Sequence, residues 1–209
     1  MGCSPPAPAS RASTRSGSAS LLATWVLVCS LFLLIGLAFF LGYFFVGGPF
    51  VWGYLGLGVH ICFFCFGPLG IQAAYYSQTQ AWTWQSLPLG TVIGLTTTLI
   101  LFCSHFHQVD DDLAAGKRSP VVRLGSRRAA ALIPYACGLI YGLTVVFVGM
   151  GWLPWLSLGI LVTLPLAYRL SQLLLSSYDQ YARISHSKFV AVQLHFWSGM
   201  ILCLSLVLA

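Results

Sequence analysis

The sequence predicts an all-α protein, a multi-pass bundle of about six transmembrane helices. Composition is the first reason: 58% of the 209 residues are hydrophobic, only 7% are charged, and the mean hydropathy is +0.85. The distribution of charge is the second, because no Asp, Glu, Lys or Arg occurs in residues 16–109, 129–168 or 189–209. Each of these runs can be divided into spans of roughly 20 residues, the length that crosses a bilayer. An ordinary soluble domain is therefore excluded, and the expected surroundings are lipid.

The chain divides into a tail, residues 1–20, and a transmembrane domain, residues 21–209. The tail is rich in Ser and Pro and has two arginines and no acid, so it cannot form a core and is predicted to be disordered. Its composition resembles a short plastid transit peptide, and an ordinary flexible tail or a mis-assigned start are the alternatives.

The first three spans are predicted at residues 21–46, 54–76 and 87–106. The first ends before Pro49, because proline cannot continue the hydrogen-bond ladder of a helix. The second is followed by polar residues 77–80 and by Trp82 and Trp84, which are typical of a turn at the membrane interface. The third leads directly into the most polar part of the chain.

The last three spans are predicted at residues 129–148, 155–174 and 190–208. Gly138 and Gly142, four residues apart in the fourth span, offer a small-residue face for close helix packing. Residues 151–154 (GWLP) form a predicted tight turn before the fifth span. His195 in the sixth span either faces an intramembrane cavity or partner or is a packing residue with a hydrogen bond.

Basic residues indicate the orientation. With six spans, eight of the ten Lys and Arg residues lie at one membrane face, which the positive-inside tendency predicts to be the cytoplasmic face, or the stromal face in a plastid. The net charge of +6 is explained by these loops and an anionic ligand rather than by nucleic acid. All cysteines except Cys3 fall in apolar segments, so no disulfide framework is expected.

Charge is concentrated in residues 104–125 (SHFHQVDDDLAAGKRSPVVRLG), here called the charged segment. It holds three of the four acidic residues of the chain, Asp110, Asp111 and Asp112. Ionised groups are costly at a bilayer, so such a cluster indicates a functional site by default. A second polar loop, residues 176–188, carries Tyr178, Tyr181 and Arg183, which could close over a ligand or simply form an interfacial belt.

A magnesium site is the functional interpretation of the charged segment. If the helix of the third span continues through it, Gln108 lies three and four residues from Asp111 and Asp112, and the three side chains share one helix face. Mg²⁺ takes oxygen ligands, often one or two carboxylates completed by water and substrate phosphate. Basic side chains would bind the remaining diphosphate oxygens; the candidates are Lys117, Arg118 and Arg123. The alternative is a solvated loop whose charges compensate each other.

The two histidines of the segment have no third ligand at a zinc-like spacing. His105 and His107 are two residues apart and would point to different helix faces. A structural zinc site is therefore not expected, and a hydrogen-bonding role near the lipid headgroups is the better interpretation.

The charged segment and several shorter stretches resemble a known protein family. The run DDDLAAGKRSPVVRLG, preceded by SHFHQ, resembles the second aspartate-rich motif of UbiA-type membrane prenyltransferases. It is most similar to the branch that prenylates 1,4-dihydroxy-2-naphthoate or 2-carboxy-1,4-naphthoquinone, including the phytyl-transferring enzymes of phylloquinone synthesis in cyanobacteria and plastids. Further matching stretches are residues 48–50 (GPF), 54–58 (YLGLG), 66–68 (FGP) and 73–80 (AAYYSQTQ).

The resemblance implies a membrane prenyltransferase of phylloquinone or menaquinone biosynthesis. Its substrates would be a prenyl diphosphate, phytyl diphosphate in this branch, and the naphthoate or naphthoquinone, and its cofactor Mg²⁺. By position, Gln108, Asp111 and Asp112 would bind the metal, and Lys117, Arg118 and Arg123 the diphosphate. Asp111, Asp112 and Lys117 would be the catalytic residues. The expected location is a cyanobacterial membrane or a plastid thylakoid or envelope membrane.

The same resemblance implies nine helices and two acidic motifs, and this chain resembles the last six helices. No acid precedes Asp110, so the family's first motif has no counterpart in the sequence. Val59 also stands where the family usually has a glutamate. We therefore expect impaired turnover from this chain alone and a possible partner in a missing N-terminal fragment. The alternatives are a non-catalytic or split-fragment membrane protein of the same fold, and a small transporter.

Overall fold

The computed structural model describes residues 12–47, 52–54 and 56–209, of which residues 12–23, 46, 181 and 182 are described by their backbone alone. The described residues form helices and connecting turns. In chain order the α-helices are α1 (Ala12–Val46), α2 (Gly58–Phe64), α3 (Gly70–Thr79), α4 (Ser86–Ser104), α5 (Val109–Ala114), α6 (Pro120–Leu124), α7 (Ser126–Gly149), α8 (Leu164–Ser177), α9 (Tyr181–Ile184) and α10 (Ser187–Val207).

Six helical segments of the described chain are long and apolar enough to cross a membrane, which confirms the predicted number of spans. They are Thr24–Phe45, Gly58–Thr79, Ser86–His107, Ser126–Gly149, Trp155–Ser177 and Ser187–Val207. The protein is therefore a multi-pass membrane protein. Most charged residues lie in or beside the connections between the third and fourth spans and between the fifth and sixth, although Arg169 belongs to the fifth span itself.

The start of α1 differs from the predicted boundary of the tail. The helix begins at Ala12 and so includes residues 12–20, while residues 1–11 lie outside the described part of the chain. Disorder of the tail stays a prediction. The other end of α1 agrees with expectation, because the helix ends at Val46, and Gly47 N–H donates to the Tyr43 carbonyl over 2.8 Å.

Two of the spans are not continuous α-helices. In the second, a π-helical turn (Cys65–Leu69) joins α2 to α3, and Gly67 departs from helical geometry with φ −102° and ψ −107°. Pro68 accounts for this kink, because it lacks an N–H and its ring clashes with the carbonyl one helical turn earlier. The fifth span begins as a 3₁₀-helix (Trp155–Thr163) and becomes α8, whose first turn contains a proline.

The core lies among α4, α7, α8 and α10, whereas α1 is peripheral. Fully buried side chains come from each of the four inner helices, for example Val92, Ile133, Leu170 and Leu194. Among the described side chains of α1, only Leu34 is buried. The inner four helices therefore form the packed core of the bundle, and α1 lies against the second span.

Hydrogen bonds between side chains connect the inner spans. His195 Nδ1 lies 2.8 Å from Thr96 Oγ1, so this histidine is a packing residue that joins α10 to α4. Tyr141 and Thr163 hydroxyls are 2.8 Å apart and join α7 to the fifth span. Such contacts satisfy polar groups that have no water to bind in the hydrocarbon region.

The closest helix contact is made by glycines other than the expected pair. A Cβ added at Gly138 or Gly142 would meet nothing within 4 Å, so the prediction of a packing face there is wrong for the described part of the chain. Instead, a Cβ at Gly67 would lie 2.5 Å from the Gly90 carbonyl oxygen and 2.7 Å from Gly94 Cα. The kinked second span therefore approaches α4 at backbone distance.

Gly94→Ala tests this contact. A Cβ at residue 94 would lie 2.8 Å from the Phe63 carbonyl oxygen and 3.0 Å from Gly67 Cα, both backbone atoms that cannot rotate away. We expect a loss of about 1–3 kcal/mol of unfolding free energy, measured by thermal unfolding in detergent. Gly138→Ala is the control, because its new methyl group contacts nothing and alanine is the better helix former. Equal unfolding temperatures for the two variants would contradict the close approach.

Candidate active site

The helix of the third span does not continue through the charged segment. Helix α4 ends at Ser104, a 3₁₀ turn covers His105–His107, and Gln108 interrupts the helix with φ −112° and ψ 12°. A new helix, α5, then begins, with all three aspartates in its first turn. The expectation of one continuous helix is therefore wrong. The break has a physical reason, since three carboxylates favour the positive N-terminal end of a helix and would be repelled at the C-terminal end of α4.

The turn after α5 brings Lys117 back to the aspartates. Gly116 has φ +67°, which reverses the chain, and Lys117 N–H donates to the Asp112 carbonyl over 2.7 Å. Helix α6 follows with Pro120 at its start, and Gly125, at φ +78°, separates it from α7. The spacing AAGK in the sequence thus encodes a tight return, because glycine reaches positive φ without steric cost.

Asp112 is the most enclosed carboxylate of the segment, with 5% of its surface exposed. Lys117 Nζ donates to Asp112 Oδ1 over 3.0 Å. On the other side, His105 Nδ1 lies 3.4 Å from Asp112 Oδ2. A carboxylate removed from water needs cationic or N–H partners, and Lys117 supplies one for Oδ1, whereas Oδ2 has only the His105 nitrogen at 3.4 Å.

Three predicted metal ligands and Lys117 line one cavity, here called the charged pocket, with a volume of about 390 Å³. Asp111 is exposed, and Gln108 is partly buried. The lining residues are Phe45, Gly53, Tyr54, Gln108, Asp111, Asp112, Ala115 and Lys117. The sequence interpretation that placed Gln108, Asp111 and Asp112 together is in agreement with this pocket, although by a different backbone path.

Three of the eight lining residues come from a distant part of the chain, which the sequence did not indicate. Phe45 lies at the end of the first span, and Gly53 and Tyr54 belong to the connection between α1 and α2, here called the α1–α2 loop, of which the structure describes residues 47, 52–54, 56 and 57. The stretch YLGLG at 54–58 matched the family, but nothing in its residue types indicates a contact with a segment more than 50 residues later. Matching residues 48–50 lie outside the described part of the chain.

The α1–α2 loop is fixed to the charged segment by its backbone. Arg118 N–H donates to the Tyr54 carbonyl over 2.8 Å. Gly56 has φ +76°, and a Cβ there would lie 2.6 Å from the Arg118 carbonyl oxygen and 3.4 Å from Arg123 Nε. Glycine is therefore required at this position for two reasons, the backbone conformation and the close approach.

The predicted diphosphate ligands are not all at the same place. Lys117 lines the charged pocket, whereas Arg118 and Arg123 are outside its lining. Arg118 contacts the α1–α2 loop through its backbone N–H, and its side chain is exposed. The Arg123 guanidinium lies against Gly56. The two arginines are thus beside the α1–α2 loop rather than at the carboxylates.

The second polar loop lies against the start of the charged segment, where α9 packs against the turn His105–His107. Lys188 Nζ lies 3.4 Å from His107 Nε2, so both loops are at the same end of the bundle. Tyr178 packs against the core, and Arg183 is exposed. The described lining of the charged pocket includes no residue of this loop, and the Tyr181 side chain lies outside the described part of the chain.

The donor set of the charged pocket fits a hard divalent cation. Two carboxylates and one amide provide oxygen ligands only, which is the preference of Mg²⁺. One of these oxygens, Asp112 Oδ2, is buried without a hydrogen-bond partner, apart from the His105 nitrogen at 3.4 Å. Across the residues that the structure describes, no group of three or more His, Cys, Asp or Glu side chains is arranged to hold a metal without outside ligands. Magnesium would thus depend on water and substrate oxygens here.

Comparison with known proteins places the chain in a family. The model of the UbiA prenyltransferase family matches residues 5–202. A 2-carboxy-1,4-naphthoquinone phytyltransferase of Synechocystis sp. is 48% identical over 169 residues, which cover 81% of this chain and 55% of the relative. The chloroplastic enzyme of the same name from Arabidopsis thaliana is 37% identical over 185 residues, 85% of this chain and 48% of the relative.

The chain thus spans about half the length of these two curated relatives. A more distant relative, a UbiA prenyltransferase domain-containing protein 1 homolog of Drosophila melanogaster, is 31% identical over 121 residues. No solved structure matches the chain significantly.

Lys117→Met tests whether Asp112 depends on its lysine. Removing the ammonium leaves a buried carboxylate with one remaining partner, so we expect a loss of about 1–3 kcal/mol in unfolding free energy, measured in detergent. In a background that carries Asp112→Asn the same change should cost less, because the amide has no charge to compensate. Arg118→Met is the control for loss of a neighbouring positive charge. Additive effects of Lys117→Met and Asp112→Asn would contradict the pairing.

Proposed function

Because the chain belongs to the UbiA prenyltransferase family, we propose that it transfers a phytyl or related prenyl group from its diphosphate to 1,4-dihydroxy-2-naphthoate or 2-carboxy-1,4-naphthoquinone. This would be a step of phylloquinone or menaquinone biosynthesis. The proposal is supported above all by the charged pocket, in which Gln108, Asp111, Asp112 and Lys117 meet at the end of a transmembrane bundle. An isolated solvated loop would not bring these four side chains to one cavity.

Gln108, Asp111 and Asp112 are the residues that would hold Mg²⁺. When bound, the ion would neutralise charge on the diphosphate and favour its departure. Asp111 is exposed and can meet the ion first, whereas Asp112 is buried and already oriented. The amide of Gln108 adds an oxygen without adding charge, which leaves the pocket less negative than three carboxylates would.

Lys117 is the residue proposed to bind the diphosphate directly. Its ammonium now donates to Asp112 Oδ1, and 22% of its side chain is exposed. A diphosphate in the charged pocket offers several anionic oxygens to the same ammonium, so Lys117 can turn from the carboxylate to the substrate. Arg118 and Arg123, beside the α1–α2 loop, would attract the substrate to the pocket through their charge.

The prenyl chain would lie in an apolar cavity of about 770 Å³, here called the apolar groove. Leu34, Leu37 and Leu41 of α1 line one side, and Ile61, Phe64 and Leu69 are among the residues opposite. Trp52 and Leu57 of the α1–α2 loop also line the groove, so one loop contributes to both cavities. This continuity suits a molecule with an anionic head and a long hydrocarbon chain.

The reaction would take place where the head and the chain join. The bond between the prenyl C1 and the diphosphate oxygen breaks, and both electrons leave with the diphosphate. The electron-rich ring of the dihydroxy acceptor forms a bond to C1, and carbon dioxide leaves from the attacked carbon, returning its electron pair to the ring. Lys117 would compensate charge on the leaving group, and Tyr54 and Phe45 would limit access of water to the allylic cation.

We further propose that the charged face is cytoplasmic, or stromal in a plastid. Eight of the ten Lys and Arg residues belong to the connections at that face or to the end of the fifth span. The membrane would be a cyanobacterial membrane or a plastid thylakoid or envelope membrane, as the organisms of the two relatives suggest.

Asp112→Asn tests the role of the carboxylates. In membranes that carry the chain, phytyl diphosphate should bind in a Mg²⁺-dependent manner, and the substitution should weaken that binding and any product formation about 100-fold. Asp179→Asn, in the second polar loop, removes the same charge from the same membrane face and should have no effect. Equal losses in both variants would contradict the proposed site.

Product from the naphthoate should be measured with the chain alone and with a segment that carries the family's first acidic motif supplied in trans. We expect low turnover from the chain alone, because one half of the family's acidic ligands comes from that motif. Full turnover without the segment would show that the expectation of impaired activity is wrong.

Ile61→Trp tests the apolar groove. The larger ring would fill the space beside α1, so we expect affinity for phytyl diphosphate to fall about tenfold or more, with little change for dimethylallyl diphosphate. Val162→Trp, at a position that is 77% exposed on the bundle surface, is the control. The same loss for both diphosphates would indicate a general disturbance instead of a filled groove.

A further inference from the structure

His105 is buried inside the protein, whereas a histidine that hydrogen-bonds to lipid headgroups would lie on the surface. It follows the last residue of α4, and only 5% of its surface is exposed. Its Nδ1 atom lies 3.4 Å from Asp112 Oδ2, within the range of an ion pair, and both atoms are buried without a regular hydrogen bond. Buried polar atoms are normally hydrogen-bonded, so two neighbouring atoms that both lack a partner are each other's nearest available partner.

We propose that His105 is a positioning residue, which fixes the orientation of the Asp112 carboxylate for metal binding through its Nδ1 atom. The inference rests on the proposed function, because it concerns the same carboxylate. It assigns His105 no contact with substrate or metal.

The backbone supports this role. The Gln108 N–H donates to the His105 carbonyl over 3.3 Å, and the Asp112 N–H donates to the Gln108 carbonyl over 2.7 Å. His105, Gln108 and Asp112 therefore form a continuous path from the end of the third span to α5. The side-chain contact between His105 and Asp112 closes this path into a ring, which limits rotation of the carboxylate.

Lys117 and His105 differ in how easily their side chains can move away from Asp112. Lys117 comes from the turn after α5 and has a partly exposed side chain, so its ammonium can transfer to an incoming anion. His105 is enclosed at the end of α4 and has no such freedom. Once Lys117 has moved, His105 is the contact that keeps Asp112 oriented.

His107 provides an internal comparison. It belongs to the same 3₁₀ turn, but its Nε2 atom lies 3.4 Å from Lys188 Nζ, on the second polar loop. A substitution at His107 therefore changes a neighbouring imidazole without touching Asp112.

The test compares His105→Asn with His105→Gln. The amide nitrogen of Asn is attached to Cγ as Nδ1 is in histidine, so Asn can donate from the same place, whereas the amide of Gln reaches the position of Nε2. Mn²⁺ binding to the full chain in detergent is measured by electron paramagnetic resonance. We expect His105→Asn and the control His107→Asn to stay within about threefold of the unmodified chain, and His105→Gln to bind about 10–100-fold more weakly.

The Mn²⁺ affinities distinguish a positioning role of His105 from a packing role, and they test the metal site separately. A packing role predicts that Gln, which is closer to histidine in length, is tolerated as well as Asn, and equal Mn²⁺ affinities of the two variants would overturn the inference alone. Absence of Mn²⁺ binding to the unmodified chain would overturn the proposed metal site and the inference with it.

A second measurement does not require the His105 variants to fold. In the chain labelled with ¹⁵N-histidine, the Nδ1 resonance of His105 should move in Asp112→Asn and stay unchanged in Asp179→Asn. An unchanged resonance in both would overturn the contact between His105 and Asp112.

Discussion

The burial of one ionised carboxylate determines the architecture of the charged end of this protein. Asp112 is 5% exposed, and its two oxygens face Lys117 at 3.0 Å and His105 at 3.4 Å. A charge in such a place is tolerated only with partners on both sides, and those partners come from different elements. Helix α4 therefore ends directly before His105, α5 begins at Val109 after a short turn, and the chain reverses at Gly116 so that Lys117 reaches the same carboxylate.

The same constraint extends to the first connection of the bundle. Arg118, the residue after the lysine, holds the Tyr54 carbonyl by its backbone N–H, and Gly56 fits against Arg118 without room for a side chain. The α1–α2 loop is thereby fixed by the turn that Asp112 requires. Because α1 buries little of its own surface in the described structure, this loop contact is a main determinant of where the first span ends relative to the inner helices.

Much of the fold could be predicted from the sequence, and less of the site. Span number and approximate bounds follow from charge-free runs, because crossing a bilayer imposes length and hydropathy on each segment separately. The sequence did not predict the helix break at Gln108. A spacing of three and four residues indicates that side chains share a helix face, but it does not reveal that three carboxylates are unfavourable at the C-terminal end of a helix. Contacts between distant segments were also missed: Gly56 against Arg118, and Gly67 against Gly94, depend on packing that local sequence does not encode.

The division of the protein into a charged pocket and an apolar groove bears on which substrates the proposed function can accept. The charged pocket combines oxygen ligands and an ammonium with apolar walls such as Phe45 and Ala115, whereas the lining of the apolar groove is almost entirely apolar. A diphosphate without a long chain would gain nothing from the groove, and a long hydrocarbon without a charged head would gain nothing from the carboxylates and Lys117. Only a molecule with both a diphosphate head and a long hydrocarbon chain would occupy the charged pocket and the apolar groove together. The bond between its head and its chain would then lie beside the α1–α2 loop, which lines both cavities.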